Sequence, residues 1–134
     1  MKRKSRSSEV EGRNRGRNRV IVTSSIRVNI FSNGAHADAE PITADDTAKM
    51  NQAFGKTTWT PKPVWVTFSD GKTFIGSTHN VPHTPYHLRD NNFDGHLCVH
   101  FPRPMKDAEA TGPYATSHQE TINEAWEKHL AKFR

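Results

Sequence analysis

A single cysteine, Cys98, rules out an internal disulfide, so nothing in this chain is stapled covalently. No uninterrupted apolar stretch approaches the length needed to span a bilayer as a helix. Apolar residues are scarce overall, at 33%, and scarcest at the start, where only Met1 and Val10 precede Val20. So few apolar groups cannot offset the entropy of ordering a chain, and a disordered tail is expected over residues 1–19. No apolar run follows the charged start, so a signal peptide is not expected there.

Charge is just as unevenly spread. Residues 1–19 carry eight basic and two acidic side chains, whereas residues 20–134 carry eleven basic and twelve acidic ones. The high isoelectric point belongs to the tail, and the rest of the chain is nearly neutral. Specific nucleic-acid binding is therefore not expected. Contact between the tail and anionic polymers is the most its charge implies. Residues 20–134 have the length of one domain.

Within that domain the pattern predicts an α+β fold, a small antiparallel sheet with a short helix and a C-terminal helix. Val20–Val22 and then Ile26, Val28 and Ile30 read as a strand ending at Ser32-Asn33-Gly34. Thr43 is placed to cap a short helix with Asp45 and Asp46 in its first turn and Gly55 at its end. Pro63–Phe68 and Thr73–Thr78 flank an Asp70-Gly71 turn and read as a hairpin. A long loop over residues 80–95 leads to a short strand, His96–Phe101, stopped by Pro102 and Pro104. Residues 105–117 look irregular. The last helix is expected from about His118 to Phe133, with Ser117 and Glu120 as a capping box and the Trp126 stripe in the core.

Chemistry is concentrated between His79 and His100. Strict alternation in the strand places Leu97, Val99 and Phe101 toward the core and His96, Cys98 and His100 together on the other face. A neighbouring imidazole can hold a thiol as its reactive thiolate. The preceding loop adds His79, His83 and His87. A bland reading stands beside this one, a buried cysteine among histidines satisfied by backbone.

The same residues also suit a metal such as zinc, which takes His, Cys and Asp ligands. His36 and Asp38 form a second compact pair. Adjacent members of the His96, Cys98 and His100 set lie roughly 6.5–7 Å apart at Cα, whereas His96 and His100 lie about 13 Å apart. A site would therefore pair two of them with His36, Asp38 or His83. The candidate ligands are His36, Asp38, His96 and His100. The alternative for His36-Ala37-Asp38 is a loop in which Asp38 caps a turn.

The sequence His83, a loop, and then His96-Leu97-Cys98-Val99-His100 resembles the active-site motif of the L,D-transpeptidase catalytic domain. That resemblance implies Cys98 as nucleophile, His83 as general base and His96 as an orienting residue, with no cofactor. A wider set of residues is similar to an ill-characterised C-terminal domain of exported, wall-associated proteins of spore-forming Gram-positive bacteria. It comprises Gly34–Thr43, Asp46-Thr47, Trp59, Pro63–Val66, Val81-Pro82-His83 and Gly95–Phe101. It implies a cell-wall or extracellular setting and peptidoglycan peptide stems as partners. Three functions follow as expectations. The first is a cysteine-dependent acyl transferase or hydrolase acting on peptidoglycan peptides. The others are a zinc-dependent peptidoglycan peptidase and a non-catalytic wall-binding or structural domain.

Overall fold

The computed structural model describes residues 6–15, 21–32 and 34–133, with side chains described from Ser25 onward. Six strands close into an antiparallel barrel in the order β1-β2-β3-β6-β5-β4. They are β1 (Arg6–Arg15), β2 (Ile21–Ile30), β3 (His36–Pro41), β4 (Lys62–Phe68), β5 (Thr73–Thr78) and β6 (Leu97–His100). Three helices accompany them, α1 (Ala44–Phe54), α2 (Met105–Thr111) and α3 (Pro113–Ala131). The α+β class is as the sequence leads one to expect. Among the described residues no helix is long and apolar enough to cross a membrane.

The barrel core is built by alternation. Val28, Ile30, Ala37, Ala39, Val64, Val66, Leu97 and Val99 are buried in one cluster with Phe93 and Met50. Small residues on β3 suit a barrel of so few strands, whose interior has little room for large side chains. Closure also satisfies strand edges that an open sheet would leave unpaired.

Several elements differ from the pattern reading. The stretch expected as a disordered tail holds β1, whose backbone pairs with β2 from Arg6 to Arg15 and with β4 from Ser8 to Glu11. Ladder hydrogen bonds supply order there independently of apolar content. The rest of that stretch, residues 1–5 and 16–19, lies outside the described residues. His36-Ala37-Asp38 is strand, not a capped turn, and pairs with β6. Residues 105–117 are helical. Gly112, at φ 142, separates α2 from α3, and Pro113 fills the first position of α3, where a missing N–H costs nothing. Ser117 and Glu120 therefore lie inside α3 and form no capping box. Trp126 is 41% exposed and lies against Trp65 and His129 on the outside of the barrel, so it is not core.

Helix α1 follows the sequence closely. The Thr43 hydroxyl accepts from the Asp46 amide, and the Asp46 carboxylate accepts from the Thr43 amide. Its other oxygen accepts from the Arg27 amide, tying the cap to β2. Gly55 ends the helix at φ 81, a left-handed conformation that glycine adopts without strain.

The loop between β5 and β6 is long but pinned. Glu40, fully buried on β3, accepts from the backbone amides of His87 at 2.8 Å and Leu88 at 3.1 Å. Asn91, also buried, donates to the Pro41 carbonyl and accepts from the Phe93 amide, while its carbonyl accepts from Thr47. The loop is closed at its mouth by a two-residue bridge in which His83 and His96 exchange amide bonds, at 3.2 and 2.7 Å.

Candidate functional site

Register explains why the histidine, cysteine and aspartate side chains meet. Asp38 on β3 lies directly opposite Cys98 on β6, and His36 lies opposite His100. Opposed residues share a face, so these four side chains stand on the outer surface of the barrel while Ala37 and Val99 point into it. Helix α3 packs over β4, β5 and β6, and the whole of β6 is buried. The alternation is thus as expected for Leu97 and Val99, and Phe101 is half-buried. His96, Cys98 and His100 are buried on their own side rather than lining an open face.

The His83–His96 bridge delivers the second half of the site. His83 Nε2 lies 3.3 Å from Cys98 Sγ. The His83 Nδ1–H points at the Val81 carbonyl, 3.1 Å away, so the free lone pair is on Nε2, facing the sulfur. His96 donates from Nδ1 to the Pro85 carbonyl at 2.6 Å, and its Nε2 lies 3.5 Å from Asp38 Oδ1. That oxygen is 4.0 Å from Cys98 Sγ. The three residues proposed for catalysis from sequence, Cys98, His83 and His96, are therefore contiguous.

The thiol is not held as thiolate. Burial, and after it the charge of Asp38, push the Cys98 thiol up to about 12. The expectation of a standing thiolate is corrected by these two causes. Cys98 rests as a thiol, and His83 Nε2 lies within reach of its proton.

His79, which the sequence offers only as one member of the histidine-rich stretch, is central to the cluster. It is fully buried directly after β5. Its Nε2 accepts from the Cys98 amide at 3.2 Å, and its Nδ1 from the Val81 amide at 3.0 Å. A neutral ring has one free lone pair, so the two amides compete for it. Burial first, and neighbouring imidazoles second, pull His79 down to about 3, which keeps it neutral. The signal available in the sequence was the alternation of β5 carried two residues past Ser77. Trp59, 51% exposed, lies over both His79 and His83 with centroids 4.6 and 5.4 Å away.

The cluster also offers ligands for a metal ion. His79, His83 and Cys98 present donor atoms that all lie within 4.8 Å of one another, and so do His36, Asp38 and Cys98. Of the ligands expected from sequence, His36 and Asp38 fall in such a group. His96 and His100 do not, because His96 is turned to Pro85 and Asp38, and His100 is stacked between His36 and His118.

Gly95 sets the position of His83. A Cβ there would come within 2.3 Å of the His83 amide nitrogen and 2.6 Å of its carbonyl oxygen. Real atoms never approach so closely, and a backbone neighbour cannot swing aside. Gly95→Ala is expected to break the bridge, destabilise the domain by about 2–4 kcal/mol, and displace His83 from the sulfur. Urea unfolding and the rate of Cys98 alkylation check this together. Unchanged values for both would show that the bridge does not position His83.

No protein-family model, no curated protein and no solved structure matches this chain.

Proposed function

We propose that the chain is a cysteine-dependent acyl transferase or hydrolase acting on peptidoglycan peptides. The observation that carries this reading is the 3.3 Å approach of His83 Nε2 to Cys98 Sγ, with Nδ1 anchored to the Val81 carbonyl. A thiol, a base beside it and a group orienting the base make up the constellation of nucleophilic catalysis. Cys98 Sγ attacks a peptide carbonyl carbon while its proton passes to His83 Nε2. The tetrahedral adduct collapses, His83 returns the proton to the departing amine, and a thioester on Cys98 remains. Attack by an amine gives transfer and attack by water gives hydrolysis. In either case His83 takes the incoming proton, and the thiol is regenerated. The peptidoglycan substrate comes from the resemblance of His83 and His96–His100 to the transpeptidase motif.

A second reading has its own support. His79, His83 and Cys98 fit zinc by donor type and proximity, and the ion would activate water for peptide hydrolysis. Iodoacetamide labelling separates the two. Cys98 is the only thiol, so the mass gain reports on it alone. Under the thiol reading Cys98 is labelled at the same rate with and without chelator. Under the zinc reading the metal-loaded chain resists labelling, and chelator releases ion and thiol together. Protection that chelator removes would overturn the thiol reading.

A further inference from the structure

A cavity stands apart from Cys98, on the far side of β5 from β6. Trp65 on β4 lies opposite Ile75 on β5, so the two share a face, and between Val64 and Val66 of the core that face is the outer one. Helix α3 packs across it, yet Trp65 and Ile75 are only half-buried. The space left between the last turn of α1 and the end of α3 is a cavity of about 250 Å³. Phe54, Val64, Trp65, Ile75 and Ala125 give it apolar walls, and none of its residues belongs to the histidine–cysteine cluster.

Charge at this cavity has one sign. Lys62, Lys128 and Lys132 line it, and no aspartate or glutamate does. Lys62 is half-buried, with its ammonium 5.8 Å from the centroid of the Phe54 ring. Lys128 meets Glu124 at 3.0 Å, but the two side chains are 74% and 70% exposed, and so open a pair holds weakly. Among the described residues neither Lys62 nor Lys132 has a carboxylate partner. His129 also lines the cavity, and the exposed rings of Trp126 and Phe133 lie against it, which extends the apolar surface outward.

These features select an occupant. Ligand cavities run from about 300 Å³ upward, so this one suits a small molecule of about a dozen non-hydrogen atoms and not a protein segment. Apolar walls favour a hydrocarbon body, because burying it removes apolar surface from water. Three ammonium groups without a carboxylate favour one negative charge at its end. We propose that the cavity binds a fatty acid of medium chain length, its chain along Trp65 and Ile75 and its carboxylate among Lys62, Lys128 and Lys132. This site is independent of the chemistry at Cys98.

Decanoate is the probe, titrated into the full chain by isothermal calorimetry at low salt. A one-to-one complex with a Kd of about 0.1 mM is expected for a ligand of this size. Decylamine has the same chain with the opposite charge and should bind at least about tenfold more weakly. Hexanoate, four methylenes shorter, should also lose about tenfold or more. Ala125→Leu puts carbon into the cavity and should abolish binding. Because that change alters packing, Lys132→Glu at an exposed position gives a second measure, and it should narrow or reverse the preference for decanoate over decylamine. Alkylation of Cys98 by iodoacetamide should proceed at the same rate with and without decanoate. Equal affinity for decanoate and decylamine, or decanoate binding unaltered in both variants, overturns the site. Slower alkylation of Cys98 places decanoate at the sulfur and overturns it too. Failure to bind decanoate has the same force, and binding to vesicles of anionic lipid in that case assigns the lysines and exposed aromatics to a membrane surface.

Discussion

Replacing His83 with alanine slows alkylation of Cys98 by iodoacetamide about a hundredfold near neutral pH, the usual contribution of a positioned base. The size follows from the state of the thiol. With burial and Asp38 pushing it up to about 12, almost none is thiolate at pH 7, so the proton must go somewhere as the sulfur attacks. His83 Nε2 is 3.3 Å away with its lone pair turned to the sulfur. Asp38 is the other acceptor, at 4.0 Å, and its negative charge opposes the thiolate it would create. Asp38→Asn should therefore speed labelling while His83→Ala slows it. Labelling rates within twofold of each other for the unaltered chain and His83→Ala would remove the base from the account.

The second large effect is on stability in acid. His100 and His118 sit at about 2 and about 4, against an ordinary value of 6.5, because burial disfavours their charged forms, with His118, His36 and Arg103 adding to it for His100 and His36 and Arg103 for His118. Below pH 6.5 the unfolded chain takes up protons that the folded chain refuses. Each ring then removes about 1.4 kcal/mol per pH unit. The loss begins as pH falls through 6.5 and continues until about 4 for His118 and about 2 for His100. His79, at about 3, adds in the same direction. Urea unfolding at about pH 7.5 and about pH 5.5 should differ by about 3–4 kcal/mol for the three rings together. That is a large share of the stability of a domain this size. His118→Phe should show a shallower loss. Equal stability at the two pH values would mean that these rings charge freely in the folded chain.

How much of this was legible in the sequence depended on how local each signal was. Thr43, Asp46 and Gly55 mark α1 because a cap needs only residues within one turn. The Asp70-Gly71 turn marks the β4–β5 hairpin for the same reason. His96, Cys98 and His100 could be placed on one face because alternation is a property of a single strand. What alternation cannot give is the partner across the sheet. Asp38 faces Cys98 through a β3–β6 register joining residues sixty positions apart, and β3 itself lacks the β-branched content that announces a strand. His118 is not legible as a neighbour of β5 and β6 because it reaches Ser77 and His100 from α3, which begins five residues before the start the sequence suggests. His79, which holds the Cys98 amide, looked like one loop histidine among several.

Under the proposed function a covalent bond forms at one sulfur. The most direct measurement is the intact mass of the chain, quenched in acid after brief incubation with a synthetic peptidoglycan stem peptide. The account predicts an added acyl mass on Cys98, absent from Cys98→Ser, strongly reduced in His83→Ala and unaffected by chelator. Peptide cleavage that persists in Cys98→Ser, or that chelator abolishes, would contradict it.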